Sequence, residues 1–207
     1  MTTNFTLEAI LPGSAERVVA LVRTAQDDNV VKQEFPNIFT RYLEFNTAAQ
    51  YIQERYHPDN HINVGYLILP AYTNITDTEK AIGMAAFGHQ DEALELPNGQ
   101  LKNPRGVNFS VWLLEEYRGS GIGKNVMRFI VDNAKDHIDN PPNQSWQDRI
   151  LWTGIRVGNV ASERIVTNLG FHPVGTMVRE PEYKYYVTAE EAKKYGVVDK
   201  VISTIKK

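Results

Sequence analysis

The chain has no cysteine among its 207 residues. That excludes disulfides, thiolate metal sites and a cysteine nucleophile, so any thiol chemistry has to come from a bound cofactor. No apolar run approaches the ~20 residues that a membrane-spanning helix needs. There is no surplus of basic charge either: 22 Lys and Arg stand against 25 Asp and Glu, a net charge of −3. Without a basic field, neither nucleic acid nor an anionic membrane is expected as a partner. The opening MTTNFTLEAILPGS lacks a basic segment followed by a long apolar one, so no secretory signal is expected and the expected location is cytoplasmic. Fourteen glycines and ten prolines are scattered, with no low-complexity run and no internal repeat.

With 42% hydrophobic and 23% charged residues, the chain can bury one sizeable core. A single domain is expected over residues 1–187, with a C-terminal helical extension over 188–207. Phe5, Leu7, Ala9 and Leu11 alternate as a strand until Pro12-Gly13, and Ser14 is placed to cap a helix with Val18, Leu21, Val22 and Ala25 on one face. Gln26–Asn29 should end that helix. Tyr42, Phe45, Ala49 and Ile52 predict a second one, which must stop before Pro58. Ile62–Leu69 and Lys80–Gly88 read as strands that form a meander with a third, Val107–Leu113. Pro97-Asn98-Gly99 is a turn in the connection between the last two. Ile150–Val157 is a further strand, Asn159 an N-cap, and Gly170 a helix terminator. Phe171–Val178 and Tyr183–Val187 make a last strand pair, and Thr188 with Glu191 a capping box. Only some strand pairs have a helix between them, so the expected fold is a mixed α/β, mostly antiparallel sheet flanked by helices.

Val107–Asn125 carries the chemistry. A strand ends at Leu113 and turns through Glu115-Glu116-Tyr117 into Arg118-Gly119-Ser120-Gly121-Ile122-Gly123-Lys124. A helix with Ile122, Val126, Phe129 and Ile130 on one face follows at once. Glycines at a helix start leave backbone N–H groups open to close approach, and the helix dipole adds partial positive charge there. That combination suits an anion, a phosphate or pyrophosphate first of all. The spacing is neither G-x-G-x-x-G nor a Walker A loop.

R-G-S-G-I-G resembles the Arg/Gln-x-x-Gly-x-Gly/Ala signature of the GNAT acetyltransferase superfamily. Downstream, Asn159-Val160-Ala161-Ser162 with Asn168-Leu169-Gly170-Phe171 is similar to the N-x-x-S…L-G-F block of its ribosomal-protein N-terminal (alanine) acetyltransferase branch. The resemblance implies the acyl-CoA N-acyltransferase fold, acetyl-coenzyme A as co-substrate and transfer of the acetyl group to a primary amine, of a protein N-terminus or a small molecule; without cysteine, direct attack in a ternary complex is expected, and no metal is expected. By the same resemblance, Arg118, Gly119, Ser120, Gly121, Ile122, Gly123 and Lys124 hold the pyrophosphate. Leu113 and Leu114 line the pantetheine arm, with a backbone N–H there serving the oxyanion. Asn159 contacts that arm, and Ser162 donates to the departing sulfur.

The base departs from the pattern. Gly154 stands where one branch of the family has a glutamate, and Val166 where it has a tyrosine acid. Glu182, beside Tyr183, is the first candidate base by likeness to the ribosomal-protein branch; Glu180 and Glu115 follow. The departure leaves a second reading open, a catalytically degenerate acyl-CoA-binding module with a sensing role, and a third, a nucleotide-binding regulator. His57, Asp59 and His61 surround Pro58, which prevents a regular helix, so a solvated loop is expected there rather than a metal site. The acceptor would be gripped by the first two helices, Gln26–Arg41 and the last strand pair, where Tyr42, Tyr66, Tyr183 and Tyr185 are available. A monomer or homodimer is expected.

Overall fold

Alternating and β-branched runs bounded by proline or glycine become strands where expected. The computed structural model describes residues 5–56, 63–70, 80–142, 144–147 and 149–197. His57, Asp59, His61 and the tail from 198 on lie outside the described residues. The architecture is mixed α/β with a mostly antiparallel sheet flanked by helices. The chain divides into two units: one runs to Gly88 and resumes over Phe109–Asn133, and the other comprises His89–Asn108 and the chain from Ala134 on.

In the first unit β1 (Phe5–Ala9) pairs antiparallel with β2 (Asn63–Pro70), Leu7 opposite Ile68, and β2 with β3 (Gly83–His89), Tyr66 opposite Ala85. The neighbour of β3 is β6 (Gly106–Leu113), whose last five residues belong here. α1 (Ala15–Thr24) buries Val18, Leu21 and Val22 as its periodicity predicts. The Ser14 hydroxyl does not cap that helix; it accepts from the Leu11 amide at 3.1 Å, closing the turn before it.

The stretch after α1 differs from expectation. Asp28, read as part of a terminator, accepts from Val30 and Val31 and opens α2 (Asn29–Glu34). Pro36 occupies the first position of α3 (Pro36–Tyr42), where a missing N–H is harmless. The expected second helix is therefore α4 (Phe45–Arg55) alone, with Ala48 and Ile52 buried and Phe45 48% exposed. Val22, Ile38, Tyr42, Ile52, Leu67, Met84 and Trp112 share this unit's core.

In the second unit the first three residues of β6 run parallel to β7 (Ile150–Arg156), Val107 opposite Leu151. β7 pairs antiparallel with β9 (Tyr183–Thr188), and β9 with β8 (Phe171–Met177), with a register shift at Pro173/Gly175. The Pro97-Asn98-Gly99 turn closes a hairpin of two strands absent from the sequence reading, β4 (Leu94–Glu95) and β5 (Leu101–Lys102), and β4 lies on β8. Leu94, Trp152, Val174, Tyr185 and Val187 form the core, with Ala192 of α7 (Ala189–Lys194) buried among them. The Thr188 hydroxyl accepts from the Glu191 amide at 3.4 Å and caps α7.

Candidate active site

In the first unit, β6 delivers the chain to a short 3-10 turn over Glu115–Tyr117 and then to α5 (Ile122–Asp139). Ile122, Val126 and Ile130 are buried as the periodicity requires, while Phe129 is 39% exposed and packs edge-on against Tyr66. The Leu114 amide donates to Ile82 at 2.8 Å. Leu113, one residue back, sends its amide to the opposite edge of β6, because strand amides alternate. Its carbonyl accepts from Arg118 Nε at 3.1 Å.

Tyr117 donates to Leu114, Arg118 to Glu115, and the Ser120 hydroxyl to Tyr117 at 2.6 Å. Gly119 and Gly121 have φ of 72° and 87°, which only glycine adopts without strain. Gly123 is different: its φ is ordinary, and a Cβ there would meet nothing nearer than Leu113 Cδ1 at 3.6 Å. From Gly119 to Lys124 no main-chain amide has a protein acceptor among the described residues. The Arg118 amide is spent on Glu115, and its guanidinium on Leu113 and on the buried carboxylate of Asp28. Asp28 is the residue of this half that sequence reasoning missed; its signal was an N-cap pattern, Asp28 before Asn29-Val30-Val31.

In the second unit, α6 (Val160–Asn168) begins at Asn159, whose side chain accepts from the Ser162 amide at 3.2 Å. The Asn159 carboxamide oxygen is thus engaged in capping, and Ser162 is half-buried in the first turn. Gly170 ends the helix with φ of 86°. Glu182 and Glu180 are both exposed, and their carbonyls accept from Val157 and Tyr183 at 2.8 and 2.9 Å. The glycine at 154 has a packing reason: a Cβ would lie 2.6 Å from Met177 Sδ. Val166 is fully buried. Neither position offers an acid or base. Beside them, Glu163 accepts from Lys184 at 2.9 Å and from the Tyr186 hydroxyl. The Lys184 bond holds the Glu163 carboxyl below the usual carboxylate range, and burial, with Glu163 adjacent, pushes Tyr186 up to about 12.

The tyrosines expected near the acceptor divide. Tyr42 is buried, its hydroxyl 3.4 Å from that of Tyr56, and Tyr185 is buried and stacked 4.5 Å from Trp152. Tyr66 and Tyr183 are half-buried. Among the described residues no group of three or more His, Asp or Glu is placed to hold a metal, and no helix is long and apolar enough to cross a membrane.

A strand, a left-handed glycine turn and a helix whose first amides lack a protein acceptor among the described residues, set in a mixed sheet, define an α/β protein. The chain belongs to the acetyltransferase (GNAT) family, whose model matches residues 32–171. It is an acetyl-coenzyme A-dependent N-acetyltransferase. No curated protein sequence matches it. Its fold is shared with a GnaT-family acetyltransferase from Bordetella pertussis (15% identity, TM-score 0.58, covering 91% of this chain and 98% of that one). It is shared too with RimL, a ribosomal L7/L12 alpha-N-protein acetyltransferase in complex with coenzyme A (16%, 0.57, 90% and 96%). A spermidine N-acetyltransferase chimera from Vibrio cholerae and hSSAT is likewise similar (16%, 0.55, 92% and 97%). At these identities the likeness is one of fold.

Proposed function

We propose that the protein moves an acetyl group from acetyl-coenzyme A to a primary amine of low basicity, a protein α-amino group first, by direct attack in a ternary complex. The observation that carries this is the run of open amides from Gly119 to Lys124 at the head of an 18-residue helix. A pyrophosphate there accepts several charge-assisted hydrogen bonds, each contributing roughly 1.5–3 kcal/mol. Leu113 and Leu114 line the pantetheine arm, and Asn159 contacts it. With the Leu114 amide committed to Ile82, Leu113 supplies the N–H for the oxyanion.

In the reaction the amine nitrogen attacks the thioester carbonyl, a C–N bond forms and the C–S bond breaks; the amine gives up one proton and the departing thiolate takes up one from water. Ser162 donates a hydrogen bond to the departing sulfur, and Glu182, whose carboxylate is exposed, takes the proton from the amine. An α-amino group with a pKa near ~8 is roughly a tenth neutral at pH 7, so it needs little help. A lysine or polyamine amine near ~10.4 is neutral in only about four molecules in ten thousand and needs a strong base. Absence of side chains at Gly154 and of polarity at Val166 therefore favours the less basic acceptor. The absence of cysteine excludes a cysteine thioester intermediate and favours the ternary complex. The protein acts in the cytoplasm as a monomer or homodimer.

The same two positions favour a second reading, a coenzyme A-binding module without turnover. Thiol release from acetyl-coenzyme A with a panel of peptides, polyamines and aminoglycosides separates them. Turnover with peptides bearing a free N-terminus fits the first reading. Coenzyme A binding with no turnover across the panel fits the second, and tighter binding of a nucleotide than of coenzyme A would remove both.

A further inference from the structure

Asp28 and Arg118 stand 90 residues apart and meet within the first unit. Each has more than one task. Asp28 Oδ1 accepts from the Val30 and Val31 amides at 3.0 and 3.2 Å, and Oδ2 pairs with Arg118 Nη2. Arg118 also donates from Nε to the Leu113 carbonyl and from its amide to Glu115. The guanidinium is thus fastened to the end of β6 on one side and to the N-cap of α2 on the other. Its charge is committed to a buried protein carboxylate, not aimed at the open amides.

The glycine turn needs such a fastening. Gly119 and Gly121 carry no side chain to pack, and a Cβ at Gly119 would meet nothing within 4 Å. Ordering glycines costs more conformational entropy than ordering any other residue. A turn already ordered before its ligand arrives spares the ligand that cost. We infer that Arg118 is a positioning residue: with Asp28 it forms a strut that holds the Gly119–Lys124 amides open for an anion and ties their order to α2. The part of this that concerns coenzyme A rests on the function proposed above; the part that concerns the ligand-free turn does not.

Asp28→Asn and Arg118→Gln each break the pair, and Asn still caps α2. In the ligand-free protein, amide order parameters at Gly119, Gly121 and Gly123 should fall from a rigid value near ~0.85 to below about 0.6, while Val30 and Val31 keep their exchange protection. Coenzyme A should bind about tenfold more weakly to either variant, the double variant should be no weaker than the worse single one, and Arg118→Lys should fall between. Arg118→Gln keeps the whole Asp28 cap, so it decides the matter if Asp28→Asn does not fold. Unchanged order parameters in a folded variant would overturn the strut. So would weak binding by Arg118→Gln alongside wild-type binding by Asp28→Asn, since Arg118 would then touch the ligand itself. If the wild-type protein does not bind coenzyme A, the functional proposal fails, and the order parameters still decide the strut.

Discussion

Replacing Gly123 by alanine separates what the fold needs from what a ligand needs. Gly123 is the second residue of α5, with an ordinary φ and room for a methyl group 3.6 Å from Leu113 Cδ1. Alanine is a better helix former than glycine by up to ~1 kcal/mol and restricts the unfolded chain more. Close to the helix start the gain should be about 0.5–1 kcal/mol. For a chain of this size that raises the melting temperature by about 1–4 °C. The fold alone would therefore prefer alanine here. A pyrophosphate resting on the Gly119–Lys124 amides would not, because the methyl group stands beside the N–H it approaches. Loss of one charge-assisted hydrogen bond, roughly 1.5–3 kcal/mol, weakens coenzyme A binding about 10- to 150-fold. The assay is a ligand-free thermal melt paired with calorimetric titration of coenzyme A. A variant that melts higher and binds coenzyme A as well as wild type would refute the placement of the cofactor. One that melts lower would refute the account of the glycine.

Gly119→Ala should do the opposite in the melt: with φ of 72° the penalty is about 1–2 kcal/mol, a drop of about 2–8 °C, although no atom blocks the methyl. His89 should make the fold acid-sensitive. Burial first, then Arg149, with Arg105 assisting and Asp91 opposing, pushes its pKa down to about 4, and its Nε2 is buried without a partner. The unfolded chain takes up that proton near pH 6.5 and the folded chain only near 4. The stability that neutral His89 contributes is therefore fully present above about pH 6.5, falls as pH drops through that window and is lost below about 4. A wholly buried ring would contribute about 3 kcal/mol across the window; half-buried His89 should contribute about 1, so urea melts of His89→Phe should lose about that much less between pH 7 and 4. Glu182→Gln should lower turnover and leave coenzyme A binding unchanged; a pH–rate profile matching wild type removes Glu182 as the base.

The sequence was most legible where one local rule decides the structure. Val107–Asn125 declares a strand by alternation, a turn by glycine and a helix by its 3.6-residue period, and each came out in place. So did the Asn159 cap and the Gly170 terminator, because a polar side chain or a positive φ at one position is enough. Legibility fell where the deciding partner is remote. Asp28 reads as a helix end from its neighbours, and its pairing with Arg118 belongs to a residue 90 positions away. β4 and β5 have two residues each, too few to alternate, and β4 owes its place to β8. The Ser14 hydroxyl turned back to Leu11, a choice between two nearby amides that no periodicity records.

Gly154 is the position where packing and chemistry bear on each other most directly. The sequence marks it only as a missing carboxylate. In the fold, its Cβ direction is taken by Met177 Sδ at 2.6 Å, and Met177 is itself 5% exposed in the core between β8, β9 and β4. A glutamate placed there would have to displace a buried thioether and bring a charge towards Trp152 and Tyr183, which also lie 3.7 Å from that Cβ. A carboxylate at 154 therefore requires the buried Met177 side chain to move, and restoring a base there by a single substitution should cost stability before it yields activity. Whatever proton is removed from the amine must go to a group outside that core, such as exposed Glu182, or to water. On the function proposed above, the burden then shifts to the substrate, and an amine that arrives largely neutral is favoured. On that same proposal, the packing beneath this glycine favours α-amino groups over lysine side chains and polyamines as acceptors near neutral pH.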